Sequence, residues 1–147
     1  MPVSGSTHWS NGRWIIAINA MEHPARQRFS LAHELKHVLD YTTRQRLYPD
    51  EPGLPASVKG ERMADYFAGC LLMPKQHVKR LFGQHPSDIQ ILADSFGVTP
   101  RAMQVRLSQL GLTPPTPRCG TPRSMGSGRM FYRQAPLRLA LPRSART

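Results

Sequence analysis

Ser30-Leu31-Ala32-His33-Glu34-Leu35-Lys36-His37-Val38-Leu39-Asp40-Tyr41 is the stretch on which the reading of this chain turns. Leu31, Leu35, Val38 and Leu39 recur at helical spacing, and Ser30 is a residue type that caps helix starts. On that helix His33 and His37 lie four residues apart, so their rings share one face, one turn above the other. Two imidazoles in that relation both reach a single zinc ion at about 2.0–2.1 Å. Glu34 follows the first His and falls beside the open position of such a metal. There it can take a proton from the attacking water and later hand it to a leaving amine. The plainer alternative is a solvated helix face carrying two ordinary histidines. Against it stands the placement of both rings off the centre of the Leu/Val stripe.

A third ligand also argues for a site. A catalytic zinc takes three protein ligands and keeps one exchangeable position. Glu61-Arg62-Met63-Ala64-Asp65 opens the next helical pattern and puts two acids one turn apart. Glu61 can complete the ligand set. Asp65 can accept a hydrogen bond from the free ring nitrogen of a ligand His, fixing its tautomer. Without the His pair, the same two acids would read as exposed charges favoured by a helix N-terminus. The rival third ligands are His23, His77 and His85. The three-His spacing H-E-x-x-H-x-x-G-x-x-H is absent, because positions 40, 43 and 44 are Asp, Thr and Arg.

Around this site the chain reads as mixed α and β, mainly helical. Residues 1–12 are small and polar and read as a loop or a turn leading into a strand. Arg13 to Asn19 is rich in β-branched and aromatic residues and reads as a strand, bounded by Asn11-Gly12 and by Glu22-His23-Pro24. Residues 42–58 hold three prolines and Gly53 and read as a loop. A second helix is expected from about Lys59 to Leu72, with Ala64, Phe67, Ala68, Leu71 and Leu72 as its buried stripe. Met73-Pro74 ends it, and Gln76 to Phe82 reads as a short helix. Ile89, Leu92, Ala93 and Phe96 resume the helical period. Gly97-Val98-Thr99-Pro100 interrupts it, and Ala102 to Leu110 continues it up to Gly111.

Charge separates the front of the chain from its end. The 147 residues carry a formal +11. Residues 1–112 hold 13 Lys/Arg against all 9 Asp/Glu, whereas residues 113–147 hold 7 Arg and no acid. The tail, opening with Thr113-Pro114-Pro115-Thr116-Pro117, has the composition of a disordered segment. Cys70 lies in an apolar helical pattern and is expected to be a buried thiol. Cys119 lies in the tail, and no disulfide framework surrounds either one. No apolar run approaches about 18 residues, and no basic start precedes an apolar stretch. A cytoplasmic protein without a membrane partner is the expectation.

The ordered combination of blocks resembles the ImmA/IrrE family of metallopeptidases. It runs from Arg26-Gln27-Arg28-Phe29-Ser30 through His33-Glu34-Leu35-Lys36-His37 to Glu61 to Pro74. It continues with Leu92 to Met103, then Arg106-Leu107 and Leu110-Gly111-Leu112. The resemblance covers roughly residues 11–112. It implies a compact gluzincin-like (zincin-like) core followed by a helix-turn-helix-like segment. It implies Zn2+ as the cofactor, with His33, His37 and Glu61 as metal ligands and Glu34 as the catalytic acid/base. The implied partner is a protein substrate, a DNA-binding transcription repressor. Two departures stand out. Lys36 occupies a position where the family commonly has Gly, and it is expected to face solvent or a neighbouring strand. The first expected strand also has little chain ahead of it, so N-terminal elements of the usual domain are expected to be missing.

The expected organisation is a metallopeptidase core over residues 1–84, a helix-turn-helix-like pair over 85–112, and a basic disordered tail over 113–147. Ala93, Gly97 and Val98 have the spacing of a helix-turn-helix turn. The following helix offers Arg101, Gln104, Arg106, Ser108 and Gln109 as base-reading groups, so nucleic acid is an alternative partner. Two packed helices that complete the core satisfy the same pattern. The arginines of the tail could attract phosphates, and Phe131-Tyr132 could stack on bases. The leading expectation is a zinc endopeptidase with an extended substrate lying beside residues 13–19. The alternative is a DNA-associated regulatory module whose metal site is structural or inactive.

Overall fold

The computed structural model describes residues 3–115. In chain order these form β1 (Gly5–Ser10), β2 (Arg13–Ile18), α1 (Pro24–Asp40), α2 (Arg44–Leu47), α3 (Ala56–Leu72), α4 (Lys75–Gln84), α5 (Ile89–Phe96) and α6 (Pro100–Gln109). The architecture is mainly helical, with one small two-stranded antiparallel sheet. The basic tail expected from residue 113 lies outside the described residues from residue 116 onward.

β1 corrects the reading of residues 1–12 as a loop. Asn11 and Gly12 have φ of 50° and 78°, the paired positive values of a two-residue hairpin turn whose twist matches that of its strands. The turn folds the polar stretch Gly5–Ser10 back onto β2, pairing Gly5 with Ile18, Thr7 with Ile16 and Trp9 with Trp14. The inward row of this sheet lies over α1. Trp14 meets Tyr41, just past the end of α1, edge-on at 4.7 Å, and Trp9 in turn meets Trp14 at 5.3 Å.

α1 begins at Pro24, six residues ahead of Ser30. His23 caps it by accepting from Ala25 N through Nδ1 at 3.3 Å, and Pro24 suits a first turn where an N–H has no helical partner. Ser30 is therefore buried in mid-helix. The apolar stripe is turned the other way from its expected role: Leu31, Leu35 and Leu39 are 49%, 37% and 58% exposed. The buried face of α1 is Ala25, Ser30, Ala32, His33, Glu34 and Asp40. α3 packs on that helix through Ala64 and Ala68, both fully buried, whereas Leu71, expected in the stripe, is exposed. α3 starts at Ala56 rather than Lys59, and the segment read as a loop contains the single turn α2.

The apolar core lies toward the other end. Met73, Val78, Leu92, Ala93, Val98, Met103 and Leu107 form one buried cluster that joins the end of α3 to α4, α5 and α6. Asp88 caps α5 and Thr99 caps α6 through side-chain oxygens on Ile91 N and Ala102 N. Gly97 ends α5 in the left-handed conformation, φ 59°. An added Cβ there would collide with the Arg28 guanidinium, so glycine is also what lets α1 reach this turn.

Candidate metal centre

α1 and α3 bring His33, His37 and Glu61 together. Their ligand atoms all lie within 4.8 Å of one another. The two His Nε2 atoms are 3.1 Å apart, His33 Nε2 is 3.2 Å from Glu61 Oε2, and His37 Nε2 is 3.3 Å from Glu61 Oε1. Ligands about 2.0–2.1 Å from a tetrahedral centre stand about 3.3–3.4 Å from each other. The two imidazole nitrogens stand at nearly that separation, each faces one oxygen of the Glu61 carboxylate at a similar distance, and two imidazoles with one carboxylate is a zinc-type donor set. The residues present fit the metal.

The geometry around the triangle orients it. His33 Nδ1 donates to Asp65 Oδ1 at 2.9 Å, which leaves Nε2 as the nitrogen available to a metal. Burial of the His33 ring disfavours its charge, but the hydrogen bonds to Asp65 and Glu61 and their negative charges outweigh this. Together they push its pKa up from 6.5 to about 9 in the metal-free chain. Hydrogen bonds from His33 and then from His37 hold Glu61 well below the usual carboxylate range, against a smaller opposing effect of its partial desolvation. The rings are enclosed, with side-chain exposures near a tenth, whereas the Glu61 side chain is 51% exposed. The triangle is thus walled on the α1 side and open on the α3 side.

Glu34 is 7% exposed and lies against the hairpin. Thr7 Oγ1 donates to its Oε2 at 2.6 Å. Thr7 is a site neighbour that the sequence reading missed. A lone Thr in a polar stretch carries no signal, and the contact exists only once β1 is folded over α1.

Lys36 faces neither solvent nor a strand. Its Nζ bonds Asp40 Oδ1 at 2.6 Å and lies 5.7 Å from the centre of the Phe67 ring on α3, so the α1–α3 seam accommodates it. Tyr48 donates its hydroxyl to Asp40 Oδ2. Burial opposes the charge on both members of this pair. The mutual hydrogen bond overcomes it, raising the Lys36 pKa and lowering that of Asp40, while burial and then Asp40 raise Tyr48.

Of the rival ligands, His23 caps α1, and His77 and His85 are exposed at α4. None belongs to the metal-capable group found among the described residues. Cys70 is half-buried rather than enclosed, and Cys119 lies outside the described residues. Arg106, expected among the base-reading groups, is 5% exposed. Its Nε donates to the Met73 carbonyl at 3.0 Å, closing the end of α3. No helix of the described residues is long and apolar enough to cross a membrane.

Comparison with known proteins gives one finding about the family. The profile of the M78 peptidase family, described as the IrrE N-terminal-like domain, matches residues 1–108. No curated protein and no solved structure matches the chain. A match over that share of the chain, with three metal-capable side chains gathered in the fold, places the protein in the ImmA/IrrE family of metallopeptidases.

Proposed function

We propose that this chain is a zinc-dependent endopeptidase that hydrolyses a peptide bond in a protein substrate, a DNA-binding transcription repressor. The observation that carries the reading is the His33–His37–Glu61 cluster, whose ligand atoms, one from each side chain, lie within 4.8 Å of one another with the two imidazole nitrogens 3.1 Å apart. His33 Nε2, His37 Nε2 and a Glu61 oxygen hold the metal, and Asp65 fixes the His33 tautomer. A zinc ion held there supplies Lewis acidity, polarising the scissile carbonyl and making water acidic enough to be activated near neutral pH. Glu34 takes the proton of the attacking water and returns it to the leaving amine. β1, whose Thr7 touches Glu34, is the strand along which the extended substrate lies, in place of residues 13–19.

The test uses the full chain loaded with zinc. Glu34→Gln keeps one zinc per chain and loses proteolysis by about 10²–10⁴-fold, the range for an acid–base residue. New protein termini are mapped in a cell extract treated with the parent or with the variant. Internal cuts in a DNA-binding regulator that only the parent produces support the reading. Identical termini in both samples overturn it.

A further inference from the structure

We propose that Thr7 is a positioning residue for Glu34, and that it divides the labour between the two carboxylate oxygens. The inference rests on the reading of Glu34 as the acid/base. Thr7 is on β1 and Glu34 on α1, 27 residues further along, and the 2.6 Å bond from Thr7 Oγ1 engages Oε2. Among the described residues Oε1 makes no hydrogen bond. One oxygen is therefore anchored and the other is left to carry the proton.

The anchor is stiff because its strand is. Thr7 is paired with Ile16 in the hairpin, and Gly5 on the same inward row is paired with Ile18. A Cβ at Gly5 would stand 3.0 Å from Glu34 Cγ and 3.3 Å from its Oε1, so the strand backbone itself walls the side chain. A Glu side chain has three torsions and loses much entropy when fixed. A hydroxyl on a paired strand holds it in place before substrate arrives, and misplacing a reacting group by about 1 Å can cost about 10²-fold in rate. A buried carboxylate also needs a hydrogen-bond partner. That requirement alone would be a structural role, so the experiment separates the two.

Thr7→Val keeps the shape and removes the hydroxyl; Thr7→Ser keeps the hydroxyl. Both are made in the full chain, loaded with zinc and assayed on dye-labelled casein as an unstructured protein probe. The expected result for Thr7→Val is a kcat lowered by about 10–100-fold, with KM within about twofold and zinc stoichiometry unchanged. Thr7→Ser is expected to stay within about threefold of the parent. A Thr7→Val protein that turns over at the parent's kcat overturns the proposal, as does Thr7→Ser falling as far as Thr7→Val. A second readout needs no turnover. With ¹³C-labelled glutamate, the Glu34 carboxyl resonance is identified by its loss in Glu34→Gln. It should move in Thr7→Val and stay near its place in Thr7→Ser; a resonance that ignores both variants removes the contact. If the parent and Glu34→Gln give identical protein termini in the extract while that resonance does move in Thr7→Val, the acid/base reading fails and the contact stands, so the two failures are told apart.

Discussion

On the proposed reading, His33 is where protons and metal compete. Its pKa in the metal-free chain, about 9, lies above the ordinary value of 6.5. The stability contributed by its pairing with Asp65 and Glu61 is thus fully present below about pH 6.5 and is lost as pH rises through about 9. A ligand imidazole must be neutral, so zinc has to displace that proton. Calorimetry at pH 7.5 in buffers of different ionisation enthalpy should show about one proton released per zinc from His33, and apparent affinity should rise about tenfold per pH unit up to about pH 9. Binding without proton release would remove His33 from the ligand set. Asp65→Asn should weaken zinc by about 10–100-fold, the usual cost of losing a partner of a ligand His. At this scale the sequence is most legible. The spacing of His33 from His37, and of Glu61 from Asp65, is fixed by helical geometry alone. Thr7 was illegible because its partner is 27 residues away on another element.

At the scale of elements, legibility follows how local the cause is. Gly97 and Pro100 punctuate α5 and α6 by backbone chemistry: α5 ends where the sequence puts it, and α6 starts at Pro100, two residues ahead of the expected Ala102. β1 escaped because Gly5-Ser6-Thr7-His8-Trp9-Ser10 is polar and becomes a strand only by pairing with β2. α1 was placed as a helix but faced the wrong way. The amphipathic rule turns leucines inward, whereas here the seam with α3 and the hairpin is given to His33, Glu34 and Asp40. Arg106 looked like a reader of bases and is a cap on α3. Arg106→Leu should therefore destabilise the fold by about 1–3 kcal/mol, because the Met73 carbonyl loses a charged donor in a buried setting. Thermal unfolding measures this, and an unchanged midpoint would mean the cap carries no weight.

Across the whole molecule, apolar burial and the metal centre sit at opposite ends. The core of Met73 to Leu107 fastens α4, α5 and α6 to the end of α3, while the face that α1 buries is largely polar. The front of the fold thus leans on hydrogen bonds, ring packing and, when loaded, the metal. Hydrogen exchange should show the division. Chelating the zinc should speed exchange in β1, β2, α1 and the first half of α3, and leave α4 to α6 at their former rates. Uniform acceleration would mean that the two ends open as one.

Gly5 carries a consequence for genetics. It holds no functional group and lies outside the His-Glu run, yet its missing side chain makes the room in which Glu34 stands. Ala or Val there presses on a buried side chain already pinned by Thr7. In a saturation screen, Gly5 alleles should sort with Glu34 alleles: protein made at normal abundance, phenotype null. A lesion map scored by chemical type would file them as unexplained, although allele and phenotype are linked through direct van der Waals crowding of Glu34.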